Sequence, residues 1–156
     1  MRSCLFLDRD GVINAAPPEG AYIRRWEEFR LLPAAVSWIR LFKAAGYLAI
    51  VITNQRGIAL GVMSHADLLA LHDRMRAELA AQGAILDDIF YCPHEEGACD
   101  CRKPRPGLVL EAQQKWDIDL ATSLLIGDSQ RDRLLAENCR IPFALVQDGR
   151  VVETKP

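Results

Sequence analysis

Five short apolar runs, residues 3–7, 48–53, 89–92, 123–126 and 143–146, are each bounded by polar, Gly or Pro residues. Apolar runs this short read as strands buried on both faces. Between them the apolar positions fall at helical spacing. Helices are predicted over residues 34–45, stopped by Gly46; over 64–82, opened by the cap-like pair Ser64 and Asp67 and closed by Gly83; over 107–116, after Pro106; and over 132–138. In the second of these, Leu68, Leu71, Met75 and Leu79 form one stripe, which predicts a core face. His65 and His72 of the same helix fall on its exposed or boundary faces and are expected to be solvated. The alternation of strand and helix argues for an α/β fold, a three-layer sandwich in which helices cover both faces of a central parallel sheet. No repeat, linker or low-complexity segment interrupts the pattern, so residues 1–156 are expected to form a single domain.

Half of the 156 residues are hydrophobic, enough for a core on both sides of one sheet. Acids outnumber bases by 21 to 19, a net charge of -2, which excludes a globally basic surface for nucleic acid or an anionic membrane. The expected partner is therefore a small molecule. No apolar run approaches the roughly 20 residues that span a bilayer. The first run is too short for a signal peptide and leads straight into Asp8. The chain reads as a soluble, cytoplasmic monomer.

Five cysteines are present, three of them (Cys92, Cys99 and Cys101) within ten residues, while Cys4 and Cys139 stand alone in apolar surroundings. Without an export signal, clustered thiols point to metal ligation and isolated ones to small core hydrophobes. Cys92, His94, Cys99 and Cys101 supply three thiolates and one imidazole, a tetrahedral set with no open position, which reads as structural Zn²⁺. The intervening Glu95, Glu96, Gly97 and Asp100 make the loop too polar to bury itself. A metal would fix its backbone and, through Cys101, orient Lys103 two residues on.

In a parallel sheet, ligands bind beyond the carboxyl ends of the strands. The first apolar run is followed by Asp8-Arg9-Asp10-Gly11, the second ends in Thr53-Asn54-Gln55, and the fourth leads to Gly127-Asp128 with Asp132 beyond. Asp-x-Asp-Gly alone is also a turn signal. Placed after a buried strand and joined by an acid from another strand, it makes a hard-oxygen site suited to Mg²⁺ and a phosphate ligand.

The order of these motifs, with Lys103 before the fourth strand, resembles the haloacid dehalogenase-like phosphatase superfamily from Phe6 to about Gly149. That resemblance implies a Rossmann-like three-layer sandwich with a zinc-bound loop and no large cap domain. It also implies Mg²⁺-dependent phosphomonoester hydrolysis. Asp8 would attack phosphorus to give an aspartyl-phosphate, and Asp10 would protonate the leaving alkoxide and then activate water. Thr53 and Asn54 would hold phosphoryl oxygens, and Lys103 would offset the negative charge. Asp8, the backbone carbonyl of Asp10, and Asp128 would hold Mg²⁺. Asp132 would either support the metal's water shell or cap the following helix.

Within the superfamily, the zinc loop and the Cys101-Arg-Lys-Pro-Arg-Pro-Gly107 after it are similar to a subgroup of heptose bisphosphate phosphatases and histidinol phosphate phosphatases. Phe6-Leu-Asp-Arg-Asp-Gly-Val-Ile-Asn14 suits both, while Thr53-Asn-Gln-Arg-Gly-Ile-Ala-Leu-Gly61 looks more like the heptose branch. The implied reaction is removal of the C7 phosphate of D-glycero-D-manno-heptose 1,7-bisphosphate or a related sugar phosphate. Histidinol phosphate hydrolysis and phosphotransfer through the same intermediate are the alternatives. Arg56 and Arg102 are the candidates for the substrate's second anionic group. Leu60 stands where the heptose branch usually carries Arg, and the zinc loop is shorter than in many of its members. Only residues 15–32 and the zinc loop are left to cover the pocket, so an open site for a sizeable substrate is expected.

Overall fold

Every side chain of β1 (Cys4–Leu7) is buried, and strand alternation sends Leu5 and Leu7 to one face and Cys4 and Phe6 to the other. Around it the computed structural model, which describes residues 1–156, places β2 (Leu48–Asn54), β3 (Asp88–Cys92), β4 (Leu124–Gly127), β5 (Phe143–Gln147) and β6 (Arg150–Lys155). The sheet has the order β3-β2-β1-β4-β5-β6. The first five strands run parallel, with Phe6 of β1 in register with Ile50 of β2 and Leu125 of β4.

Period-two alternation divides the interior into two cores. Leu5, Leu7, Ala49 and Val51 pack against Ala35, Val36 and Ile39 of α1 (Pro33–Ala44) and the expected Leu68, Leu71, Met75 and Leu79 of α2 (His65–Ala81). On the opposite face, Cys4, Phe6, Leu48, Ile50 and Ile52 meet α3 (Gly107–Trp116) and α4 (Gln130–Cys139). The three-layer α/β sandwich is thus the observed architecture. Ser64 caps α2, accepting a hydrogen bond from the Asp67 N–H while the Asp67 carboxylate accepts one from the Ser64 N–H. No helix is long and apolar enough to cross a membrane.

The sheet does not stop at the fifth strand. Asp148 and Gly149 adopt φ of 49° and 74°, a turn conformation that favours a two-residue hairpin, and β6 returns antiparallel beside β5. Apolar patterning does not reveal β6 because this edge strand is exposed along nearly all its length, Val151 and Val152 included. Between β1 and α1, residues 15–32 contain one short 3₁₀ turn, Trp26–Glu28, and no inserted cap.

The chain steps outward from β1 to β2 and β3, then returns to β4 on the other side of β1. The connections therefore diverge between the carboxyl ends of β1 and β4, where a crevice opens for a ligand. The hairpin offers a check on the sixth strand. Gly149→Val forces a β-branched residue into positive φ and is expected to cost about 1–2 kcal/mol in urea unfolding, whereas Val151→Thr on the exposed edge should stay within about 0.5 kcal/mol.

Candidate active site

Lys103 reaches the crevice from the loop before α3, and its ammonium is almost fully buried. Its Nζ lies 2.9 Å from Asp8 Oδ1, 2.7 Å from Asp132 Oδ1 and 3.0 Å from the Ile52 carbonyl, so each of its three protons has an acceptor. The Asn54 side chain holds the Lys103 backbone from both sides: Oδ1 accepts from its N–H at 3.0 Å and Nδ2 donates to its carbonyl at 3.3 Å. Burial opposes the lysine's charge, but Asp132 and Asp8 outweigh it and raise its pKa.

Asp132 is bound into the same cluster. One oxygen takes the lysine; the other accepts from the Ser129 hydroxyl at 2.9 Å and the Asp128 N–H at 3.2 Å. The capping role in α4 belongs to Ser129, whose hydroxyl accepts from the Asp132 N–H, and Asp132 is the counter-ion of Lys103. Burial works against its charge, yet Lys103 brings its pKa below the ordinary carboxylate value. Asp8 goes the other way, raised by burial and by the Asp132 charge more than Lys103 lowers it. Burial, followed by repulsion from Asp132, pushes Asp128 up to about 6.

Asp10 belongs to a second cluster. Its Oδ1 accepts from Arg9 Nη2 at 2.8 Å, Arg9 Nε at 3.1 Å and Asn14 Nδ2 at 2.9 Å, while Oδ2 faces only Gln55 Nε2 at 3.5 Å. Gln55 also donates to the buried hydroxyl of Thr53 at 3.0 Å. Arg9 is 0% exposed, and its Nη1 lies 3.1 Å from His72 Nε2. His72 is therefore not solvated as expected: it is 3% exposed, because the loop after β1 lies over its face of α2. Burial, and then the Arg9 charge, lower its pKa to about 3. Arg9, Asn14, Gln55 and His72 escaped the sequence reading, since an arginine between two acids, or a histidine on a helix flank, ordinarily faces solvent.

Two groups of side chains could hold metal. Ligand atoms of Asp8, Asp128 and Asp132 lie within 4.8 Å of one another, a hard-oxygen set whose mutual repulsion a divalent cation would relieve. Gly11 makes this approach possible, because a Cβ there would sit 1.8 Å from Asp128 Oδ2. The second group is Cys92, His94, Cys99 and Cys101. Four of its interatomic edges measure 3.4–3.6 Å. A tetrahedron with ligand bonds of about 2.0–2.3 Å has edges of roughly 3.3–3.8 Å.

Arg56 pairs with Glu95 of the cysteine loop at 2.7 Å, while its Nε and the Nη1 of the mostly buried Arg102 are buried without a hydrogen-bond partner. A cleft of about 540 Å³ at Gly11, Arg30 and Asp128 adjoins a larger cavity of about 670 Å³, reaching Tyr22, Leu60 and Val62.

A HAD-hydrolase-like family model matches residues 100–155. The D-glycero-β-D-manno-heptose-1,7-bisphosphate 7-phosphatase of Rhodopseudomonas palustris is 43% identical over 149 residues, covering 90% of this chain and 81% of the relative. The chain belongs to this phosphatase family. The corresponding α-anomer enzyme of Mycobacterium bovis is 42% identical over 137 residues, covering 86% of this chain and 72% of the relative. The crystal structure of the D,D-heptose 1,7-bisphosphate phosphatase from B. bronchiseptica, complexed with magnesium and phosphate, superimposes with a TM-score of 0.86. It is 36% identical, covering 95% of this chain and 83% of that one. This phosphatase is thus an enzyme of the HAD-like hydrolase class, with its acids converging at the expected strand ends.

Neutral His72 gives the phosphatase a specific acid sensitivity. The folded pKa lies below the unfolded value, so the contribution is fully present above about pH 6.5 and is lost as pH falls toward about 3. Between pH 7.5 and 5, the native protein is expected to lose about 2 kcal/mol more unfolding free energy than His72→Gln, measured in urea at both pH values.

Proposed function

We propose that the chain removes the C7 phosphate of D-glycero-D-manno-heptose 1,7-bisphosphate, with Mg²⁺ at the acids and a structural Zn²⁺ in the cysteine loop. The observation that carries this reading is the buried Lys103 ammonium 2.9 Å from Asp8, beside a carboxylate set suited to a divalent cation, in a chain of the heptose bisphosphate phosphatase family. Asp8, Asp128 and the Asp10 backbone carbonyl would hold Mg²⁺. When bound, the ion would supply positive charge at the phosphoryl oxygens.

Asp8 Oδ1 is engaged by Lys103 and by the Arg9 N–H at 2.7 Å, which leaves Oδ2 to attack phosphorus. Lys103 balances the charge that gathers there. Asp10 gives its proton to the departing alkoxide and takes one from the water that later cleaves the aspartyl-phosphate. The Thr53 hydroxyl and the second amide hydrogen of Asn54 would hold phosphoryl oxygens. Arg56 Nε and Arg102 Nη1, buried donors without acceptors, favour a substrate with a second anionic group over histidinol phosphate, whose second charged group is a cationic amine. The cleft at Asp128, together with the larger cavity that adjoins it through Ala15, Ala16 and Arg30, suits a substrate larger than phosphate itself. The same reading makes residues 1–156 one domain, working as a cytoplasmic monomer on a small phosphorylated sugar. Both sheet faces are covered by the chain's own helices.

Phosphate release with Mg²⁺ from both anomers of the bisphosphate and from histidinol phosphate tests the substrate. A preference for one bisphosphate anomer, abolished by Asp8→Asn, is expected; faster turnover of histidinol phosphate would overturn the assignment. Transfer of the phosphoryl group to a sugar hydroxyl would instead identify a phosphotransferase. For the loop, elemental analysis should find one zinc per native chain and none in Cys101→Ser, with reduced turnover as Lys103 loses its anchor.

A further inference from the structure

Arg9 lies between the two acids of the first motif, yet its guanidinium is buried entirely within the protein. Two of its nitrogens, Nε and Nη2, grip a single oxygen of Asp10, and the third, Nη1, meets His72 Nε2. Arginine offers only donors, so His72 Nε2 must accept and the imidazole carries its proton on Nδ1. The ring is held on its other side by Tyr91, which packs edge-on at 6.0 Å between centroids. Tyr91 is engaged in turn, its hydroxyl 3.3 Å from His65 Nδ1. Asn14 adds a third donor to Asp10 Oδ1 at 2.9 Å. Oδ1 is saturated, and Oδ2 has only the long approach of Gln55.

We propose that Arg9 and His72 are positioning residues that lock Asp10 with Oδ1 turned into the protein, leaving Oδ2 to exchange protons with leaving group and water. The inference rests on the reading of Asp10 as the acid and base of the reaction. In the first step the bond from Asp8 Oδ2 to phosphorus forms, the ester bond breaks, and the proton on Asp10 Oδ2 passes to the departing alkoxide. In the second, water oxygen bonds to phosphorus, the aspartyl bond breaks, and the water proton returns to Asp10 Oδ2. His72 exchanges no proton. It accepts from Nη1, the one guanidinium nitrogen that Asp10 does not engage, so all three nitrogens are anchored and the group's orientation is fixed, and an apolar side chain there would leave Nη1 buried without this partner.

A positioned acid matters only when the leaving group needs a proton, which separates this role from a general structural one. The test compares kcat/KM, which reports the step that expels the leaving group, for heptose 1,7-bisphosphate and p-nitrophenyl phosphate in the Mg²⁺-loaded native enzyme and in His72→Phe, His72→Gln and Asp10→Asn. In His72→Phe the ratio of sugar phosphate to p-nitrophenyl phosphate should fall about 10-fold, a part of the roughly 10²–10⁴ that a placed acid–base group supplies. His72→Gln, which offers an amide oxygen near the position of Nε2, should restore most of it. Because the ratio is taken within one preparation, a partly unfolded variant does not distort it. An unchanged ratio in His72→Phe, or no recovery in His72→Gln, overturns the positioning role while Asp10→Asn still loses the sugar phosphate selectively. Equal loss of both substrates in Asp10→Asn removes Asp10 as the acid, and the proposal with it.

Discussion

A buried ammonium holds the active centre together. Lys103 is almost fully buried, and its charge is tolerable because Asp8, Asp132 and the Ile52 carbonyl accept hydrogen bonds from all three of its N–H groups. Removing one partner of such a buried ionic group costs about 3–5 kcal/mol, since the remaining charge is stranded. The arrangement ties together the exits of β1 and β2 and the start of α4, while Asn54 fixes the lysine's backbone.

Around that ion, the acids of the crevice divide their work by the cations they meet. Asp8 and Asp132 share Lys103, and Asp10 takes Arg9. Asp128 has no ion pair, and its pKa is pushed up to about 6 by burial and then by Asp132. Each acid of this small site thus meets a different set of charged neighbours.

The cysteine loop connects this chemistry to the surface. Its four ligand atoms stand at tetrahedral spacing, and Cys101 leads within two residues to Lys103. Arg56 links the loop after β2 to Glu95 on the same loop. The loop therefore joins the two segments carrying the guanidinium donors, so whatever fixes its backbone bears on both Lys103 and the Arg56 side of the site.

The five parallel strands, the four helices and the cysteine and histidine loop were legible in the chain itself, because each has a local signature. Runs apolar on both faces mark buried strands, an apolar stripe at 3.6 spacing marks α2, and donors of one chemical class at short spacing mark a ligand loop. β6 had no such signature, being an exposed edge that is paired through its backbone. Nor could periodicity separate a helix-capping Asp132 from a counter-ion, or a solvated His72 from one sealed against Arg9. Those roles depend on residues 29 and 63 positions away, Lys103 for Asp132 and Arg9 for His72. The sequence by itself determined which elements form and which residue types reach the strand ends, for these follow from burial and local spacing. The tertiary structure decided which charge each acid meets, because in a low-dielectric crevice an ionisable group's state is set by its nearest neighbours in space.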